Sequence, residues 1–119
     1  MRKYILIVDD EAITGKLISI HLISEGYDVE AVLTGEEAMR RIQREKPSLV
    51  LLDILLPGID GIETLKRIRS FDSNIPVVMI TGIHDNEEGK KAFAAGARDY
   101  VTKPIDFQYL KTILSIQSE

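Results

Sequence analysis

The sequence predicts an α/β domain in which five parallel strands alternate with five helices. Short apolar runs recur at fairly even spacing, and most of them are continuous, which is typical of strands buried on both faces of a parallel sheet. Segments of helical length and pattern separate the runs, so each crossover is expected to be right-handed. The predicted strands are residues 4–8, 29–33, 49–52, 76–80 and 100–102.

Start and stop signals bound each predicted helix. Thr34 stands three residues before Glu37, which is the spacing of a capping box. Glycine just after a helical pattern supplies the left-handed residue that closes many helices. The predicted helices are 13–25 before Gly26, one between Thr34 and Pro47, 62–70 after the cap Asp60, 87–95 before Gly96, and 107–116 after Pro104.

Composition favours one globular domain that spans residues 1–119, with 45% apolar and 29% charged residues. The net charge of −4 is opposite in sign to that of a generic nucleic-acid or anionic-membrane binder. The absence of cysteine excludes disulfides, thiolate metal sites and a cysteine nucleophile. The apolar runs are too short for a membrane span or a secretory signal, so we expect a cytoplasmic protein.

Acidic residues follow two of the apolar strands. Asp9, Asp10 and Glu11 come directly after the first strand, and Asp53 comes after the third. Ligands of parallel α/β sheets bind beyond the carboxyl ends of the strands, so neighbouring first and third strands would bring the aspartates together. Clustered carboxylates repel one another, and a hard cation relieves that repulsion. An oxygen-only site with room for water suits Mg²⁺.

Two further strand ends supply groups that complement the carboxylates. Thr81 ends the fourth strand with a hydroxyl donor, and Lys103 follows the fifth strand with a positive charge suited to a phosphoryl oxygen. The set contains neither a thiol nor a paired serine and histidine. It fits attack by the Asp53 carboxylate on phosphorus, a reaction that depends mainly on positioning and charge neutralisation.

Five motifs in order make the chain resemble a response regulator receiver domain of the chemotaxis-regulator-like type, from two-component signalling. They cover essentially the whole chain. The resemblance implies a flavodoxin-like, doubly wound (βα)5 fold with strand order 2-1-3-4-5, which is carried over from the family. The motifs are Val8-Asp9-Asp10-Glu11, the stretch from Asp53 to Gly61, Ile80-Thr81-Gly82, the stretch from Gly96 to Tyr100, and Thr102-Lys103-Pro104.

The resemblance also implies a role for each site residue. Asp53 would accept a phosphoryl group from the phosphohistidine of a sensor histidine kinase or a histidine phosphotransfer protein. Asp10, Asp53 and the backbone carbonyl of Leu55 would hold Mg²⁺, with Asp9 acting mostly through water. Lys103 would pair with Asp53 or its phosphoryl group. Such a domain catalyses its own phosphorylation and dephosphorylation but turns over no metabolite, so we do not expect an enzyme.

The family further implies a switch. Thr81 would bond a phosphoryl oxygen, Tyr100 would move inward, and the face made by helix 4, strand 5 and helix 5 would change. The Lys103–Pro104 bond would be cis. We expect no direct nucleic-acid or membrane binding by this domain. The downstream protein or fused output domain, and a phosphorylation-dependent homodimer through that face, are left open by the sequence.

Two residue pairs predict how a partner docks and how long the phosphoryl group persists. The first helix has more apolar residues than one buried stripe needs, so Ile13 and Ile20 are predicted to form part of an exposed patch where the kinase docks.

Leu55 and Ile83 lie two positions after Asp53 and Thr81, where the side chains of family members influence how fast the acyl phosphate hydrolyses. Because neither side chain can position water, we expect slow autodephosphorylation.

Two alternative functions share parts of this pattern. A phosphatase of the haloacid-dehalogenase type also uses Asp, Lys, Thr and Mg²⁺, but it needs a second aspartate where Leu55 stands, and usually a cap insertion. A flavin- or nucleotide-binding protein of similar topology needs a first loop rich in Ser, Thr or Gly, whereas this loop is Asp9-Asp10-Glu11.

Overall fold

A computed structural model of the chain describes residues 3–82 and 86–117. Strands and helices alternate five times along the chain, as the sequence predicts. The elements are β1 (Ile5–Val8), α1 (Ala12–Ser24), β2 (Val29–Val32), α2 (Gly35–Arg44), β3 (Leu49–Asp53), α3 (Gly61–Phe71), β4 (Val77–Thr81), α4 (Asn86–Ala94), β5 (Asp99–Thr102) and α5 (Phe107–Gln117).

The five strands form one parallel sheet in the order β2-β1-β3-β4-β5, which confirms the predicted fold class. The register pairs Val8 with Leu52 across β1 and β3, and Thr81 with Thr102 across β4 and β5. The carboxyl ends of these four strands therefore lie side by side. The strand order reverses at β1 and β3, since β2 lies on one side of β1 and the later strands follow on the other side. This reversal places a crevice at the point where ligands of such sheets bind.

The three central strands are buried along their whole length, which explains their continuous apolar runs. Successive side chains point to opposite faces of the sheet and build two cores. One core packs against α2, α3 and α4, and the other packs against α1 and α5. The helical side chains in the first core are Ala38, Ile42, Leu65, Ile68 and Ala92, and those in the second are Ile18, Leu22, Leu110, Ile113 and Leu114.

The helix-end signals act as predicted. Gly26 and Gly96 adopt φ values of 92° and 104°, the left-handed conformation expected after α1 and α4. The Thr34 hydroxyl accepts a hydrogen bond from the Glu37 amide at 3.1 Å, and the Asp60 carboxylate accepts one from the Glu63 amide at 2.8 Å. These local caps explain why the predicted boundaries agree closely with the observed ones.

Arg41 ties α2 to the sheet edge. The alternating charges of α2 favour a solvated face, yet the guanidinium of Arg41 donates two hydrogen bonds of 2.7 Å to the Glu30 carboxylate of β2. It also donates one to Glu45 at 2.8 Å and lies 4.6 Å from the centre of the Tyr4 ring. The planar fork of arginine suits this combined pairing and stacking.

A glycine at the start of α3 allows that helix to approach the end of β3. A Cβ atom added at Gly61 would lie 2.3 Å from the Asp53 carbonyl oxygen, whereas one added at Gly15 in α1 would lie 3.9 Å from its nearest neighbour. We expect Gly61→Ala to lower the free energy of unfolding by about 1–3 kcal/mol through overpacking. Gly15→Ala should raise it by about 0.5–1 kcal/mol because alanine favours the helix. Urea unfolding measures both, and equal effects of the two substitutions would contradict the packing argument.

Candidate functional site

Four strand ends bring the predicted site residues to one edge of the sheet. Asp9 follows β1, Asp53 ends β3, Thr81 ends β4 and Lys103 follows β5. The side chains of Asp9, Asp53 and Thr81 are buried. The Lys103 amide donates to the Thr81 carbonyl at 2.7 Å, which extends the β4–β5 pairing to the lysine. The parallel register thus gathers residues that are far apart in the sequence.

Asp9, Asp10 and Asp53 form a cluster that could hold a metal ion. Each offers a carboxylate oxygen, and these oxygens all lie within 4.8 Å of one another. Asp9 Oδ2 is buried and accepts no hydrogen bond from any residue in the ranges 3–82 and 86–117. An oxygen-only donor set with an unsatisfied buried carboxylate oxygen fits a hard divalent cation such as Mg²⁺.

The cluster opens into a cavity of about 340 Å³. Leu55 lines this cavity, and its side chain is 62% exposed. Ile83, which was predicted to tune dephosphorylation together with Leu55, lies outside the described residues. Among the described residues, the lining includes Asp10, Glu11, Asp53, Leu55, Gly82 and Lys103.

Two donors orient the Asp53 carboxylate. Its Oδ1 accepts a hydrogen bond from the Leu55 amide at 3.1 Å, and its Oδ2 accepts one from Lys103 Nζ at 3.0 Å. The amide bond fixes the side chain against the loop that follows β3, and the ammonium holds it from the β5 side. The carboxylate is therefore held in one orientation at the cavity wall.

Lys103 is the common cation of the site. Its Nζ lies 2.7 Å from Glu11 Oε1, 3.0 Å from Asp53 Oδ2 and 3.5 Å from Asp9 Oδ2. Partial burial disfavours the charged ammonium, but the hydrogen bonds to Glu11 and Asp53 and the negative charges nearby outweigh that cost and raise the pKa of Lys103. The same hydrogen bond lowers the pKa of Glu11. Sequence reasoning placed Glu11 in the acidic loop but missed its pairing with Lys103.

Burial disfavours the ionised form of the Asp9 carboxylate. Desolvation raises its pKa from 3.8 to about 6, and the negative charge of Asp53 adds to the rise. The hydrogen bond from the Glu11 amide to Asp9 Oδ1, at 2.9 Å, and the positive charge of Lys103 oppose it. The opposing effects leave Asp9 with a pKa above its ordinary value.

Tyr100 lies on β5, the edge strand of the sheet. Its ring is 42% exposed and packs edge-to-face on Phe93 of α4, with the ring centres 5.4 Å apart. The structure thus shows an outward tyrosine, and the inward movement that the family resemblance implies stays a prediction. The Lys103–Pro104 bond is cis, as predicted.

The exposed surface of α1 is apolar. Ile18 and Leu22 are buried in the core, whereas Ile13 and Ile20 are 76% and 54% exposed, which confirms their predicted exposure. Leu17 and Ile23 are exposed as well, although the sequence did not single them out. Beside this helix lies a cleft of about 330 Å³ that reaches the loop after β5. The cleft is lined by Glu11, Thr14, Leu17, Ile18, Lys103, Pro104, Ile105 and Phe107.

The motifs and this geometry agree with comparisons to known proteins. A family model for the response regulator receiver domain matches residues 5–115. The chain belongs to the response regulator receiver domain family. It is therefore a receiver domain of the kind found in two-component systems, and domains of this kind are signalling domains that generally bind Mg²⁺.

Curated relatives include longer regulators. The chain is 40% identical over 104 residues to the alkaline phosphatase synthesis transcriptional regulatory protein PhoP of Bacillus subtilis, covering 87% of this chain and 43% of PhoP. It is 38% identical over 104 residues to the DNA-binding response regulator MtrA of Mycobacterium tuberculosis, covering 87% of this chain and 45% of MtrA. The chain thus spans less than half the length of these relatives.

Solved structures share the whole fold. The receiver domain of NtrX from Brucella abortus is similar with a TM-score of 0.92 and 33% identity, covering 96% of this chain and 97% of that one. A CheY-like receiver domain protein from Methanospirillum hungatei JF-1 gives a TM-score of 0.93 and 31% identity, covering 99% of this chain and 94% of that one.

Among the helices that the structure describes, none has the length and apolar character needed to cross a membrane.

The raised pKa of Asp9 predicts how stability depends on pH in protein freed of divalent cations. The folded protein keeps the Asp9 proton up to about pH 6, whereas the unfolded chain releases it near 3.8, so ionisation of Asp9 costs stability as the pH rises between these values. We expect Asp9→Asn to raise the free energy of unfolding at neutral pH by about 3 kcal/mol. The difference should vanish below about pH 3, where Asp9 is protonated in both the folded and the unfolded protein. Urea unfolding in EDTA across this range measures it, and a variant that is less stable than the parent at every pH would contradict the assignment.

Proposed function

We propose that residues 1–119 form a receiver domain whose phosphoacceptor is Asp53. The phosphoryl group comes from the phosphohistidine of a sensor histidine kinase or a histidine phosphotransfer protein. One observation carries this proposal. The Asp53 carboxylate is held between the Leu55 amide and the Lys103 ammonium at the wall of an open cavity that it shares with Asp10.

The transfer is a displacement at phosphorus. A carboxylate oxygen of Asp53 attacks, the P–N bond to the donor imidazole breaks, and the nitrogen keeps the electron pair. The product is an acyl phosphate. Lys103 then offsets negative charge on the phosphoryl oxygens, and the Thr81 hydroxyl donates a hydrogen bond to one of them.

Asp10, Asp53 and the backbone carbonyl of Leu55 would hold Mg²⁺, and Asp9 would act mostly through a water molecule. A bound Mg²⁺ neutralises charge on the phosphoryl oxygens. The unsatisfied buried oxygen of Asp9 and the oxygen-only donor set support this assignment. The domain promotes only its own phosphorylation and dephosphorylation, so it is not an enzyme with a separate substrate.

Rival functions fit the site less well. The position that a haloacid-dehalogenase phosphatase fills with a second aspartate holds Leu55, which has an exposed apolar side chain. A nucleotide-binding first loop would present backbone amides to phosphate, but here the Glu11 amide is bonded to Asp9 and the loop carries carboxylates.

The phosphoryl group would act as a switch. Thr81 would turn toward it, Tyr100 would leave Phe93 and move inward, and the surface of α4, β5 and α5 would shift in population. PhoP is named as a transcriptional regulatory protein and MtrA as a DNA-binding response regulator, and this chain spans less than half of each. We propose that the switched face acts on a downstream protein or a fused output domain in the cytoplasm. A phosphorylation-dependent homodimer through this face is an alternative readout.

Asp53→Asn tests the acceptor directly. Incubation of the protein with acetyl phosphate and Mg²⁺ should add the mass of one phosphoryl group to the parent chain, and none to the variant, as read by intact-mass spectrometry. Asp60→Asn is the matched control because asparagine caps α3 as well as aspartate does, so this variant should still be phosphorylated. Equal incorporation into Asp53→Asn would contradict the proposal, and chelation of Mg²⁺ should slow the parent reaction.

The apolar surface of α1 suits a helical partner. Ile13, Leu17 and Ile20 follow the i, i+4, i+7 spacing and share one exposed side of the helix. α1 begins next to Glu11, whose side chain contacts Lys103 at the site. A partner helix docked along this stripe would therefore reach the neighbourhood of Asp53.

Ile20→Ser should slow phosphotransfer from a histidine kinase that phosphorylates the parent chain, by several-fold, while the reaction with acetyl phosphate stays unchanged. Stability should change little because the side chain is exposed. Ile116→Ser removes a comparably exposed isoleucine from α5 and serves as the control. Equal loss with both phosphodonors would count against docking.

Leu55 and Ile83 are proposed to make autodephosphorylation slow. The exposed Leu55 side chain beside Asp53 offers no hydrogen bond to an attacking water. We expect Leu55→Asn to accelerate decay of the phosphorylated domain several-fold because the amide can position water. Leu55→Val keeps the apolar character and should decay like the parent. An unchanged decay rate in Leu55→Asn would rule this out.

A further inference from the structure

The Glu11 side chain forms an ion pair with Lys103 and does not cap α1. Glu11 occupies the N-cap position of α1 but makes no side-chain cap hydrogen bond. Its carboxylate accepts a hydrogen bond from Lys103 Nζ at 2.7 Å, which is shorter than the 3.0 Å between Lys103 Nζ and Asp53 Oδ2. The Glu11 backbone is meanwhile fixed by the bond from its amide to Asp9. The Glu11 side chain is therefore engaged with Lys103 and not with the end of its own helix.

The ion pair separates two cavities. Glu11 and Lys103 are the two residues that line both the acidic cavity around Asp53 and the apolar cleft between α1 and the loop after β5. The Glu11 side chain is 61% exposed to solvent, whereas the Lys103 side chain is 26% exposed. The glutamate can therefore swing away while the lysine stays over the acceptor.

Phosphorylation would set two anions in competition for one ammonium. Lys103 Nζ already donates hydrogen bonds to Glu11 and Asp53, and it lies 3.5 Å from the Asp9 carboxylate. Phosphorylation replaces the single negative charge of the Asp53 carboxylate with up to two on the phosphoryl group, and places three strong acceptor oxygens next to Lys103. Glu11 would then face a like charge and lose its share of Lys103.

We propose that Glu11 is a positioning residue that holds the Lys103 ammonium in the resting protein and competes with the phosphoryl group for it. The inference rests on the proposed role of Asp53 as phosphoacceptor. Glu11 acts through Lys103 and touches neither the phosphorus nor the attacking oxygen. Its release is part of the change from the resting to the phosphorylated state, and its charge weakens that state.

Binding of beryllofluoride, a phosphoryl analogue that takes a carboxylate oxygen as its fourth ligand, measures this competition in the presence of Mg²⁺. Glu11→Gln keeps the shape of the side chain but removes its charge, and should tighten binding by about two- to fivefold, the scale of an exposed ion pair. Glu25→Gln is the matched control because Glu25 also pairs with a lysine, Lys111, at 3.0 Å near the other end of α1. That variant should bind like the parent.

A double-mutant cycle separates competition for Lys103 from a general effect of charge. In a Lys103→Met background, Glu11→Gln should give no further gain, since the ion pair is already gone. An equal gain in both backgrounds, or no gain in the parent, would overturn the inference. Lysine-selective ¹⁵N NMR gives a second measurement: in Glu11→Gln, the resting Lys103 ammonium signal should lie closer to its analogue-bound position, and an unmoved signal would overturn the inference.

Asp53→Asn distinguishes the two levels of the account. If the parent and Asp53→Asn bind the analogue equally, the acceptor role fails and the role of Glu11 falls with it. If only the parent binds and Glu11→Gln matches the parent, the acceptor role stands and the role of Glu11 alone is wrong.

Discussion

Three carboxylates and one ammonium share a small volume at the carboxyl edge of the sheet. One carboxylate oxygen each of Asp9, Asp10 and Asp53 lies within 4.8 Å of the others, and Lys103 forms ion pairs with Asp9 and Asp53. Burial raises the pKa of Asp9, the negative charge of Asp53 adds to the rise, and ionisation of this cluster therefore disfavours the folded state. A divalent cation would reduce this imbalance, whereas a phosphoryl group on Asp53 would add negative charge that the cation and Lys103 would have to offset. A cluster of this kind would make the metal-free protein less stable and would favour the binding of a divalent cation.

The sheet holds this unfavourable cluster because the strands that carry it are rigid. β1, β3 and β4 are buried throughout and packed between two cores, so their ends cannot move apart to relieve repulsion. Gly61 brings α3 directly onto the backbone of Asp53, where any larger residue would collide with the carbonyl. The two apolar cores thus fix the positions of the strand ends, and the polar side chains at those ends form the site.

Local signals predicted the elements well, and long-range pairing was harder to predict. Continuous apolar runs marked the strands, and Thr34, Asp60, Gly26 and Gly96 marked helix ends, since each acts on residues a few positions away. The meeting of Asp9, Asp10 and Asp53 required the strand order, which periodicity does not contain and which the family motifs provided. The bond between Glu11 and Lys103 joins residues far apart in sequence and depends on side-chain direction, as does the fork of Arg41 on Glu30. Neither pair has a signal in sequence spacing.

The central claim is that this cluster is a cation site built around Asp53. Crystals grown with Mn²⁺ in place of Mg²⁺ and measured at a wavelength where manganese scatters anomalously would locate the ion directly. The account predicts one strong anomalous peak in contact with the Asp10 and Asp53 carboxylates and the Leu55 carbonyl. No peak at that position with Mn²⁺ in excess, or a strong peak only at other surface carboxylates, would contradict it.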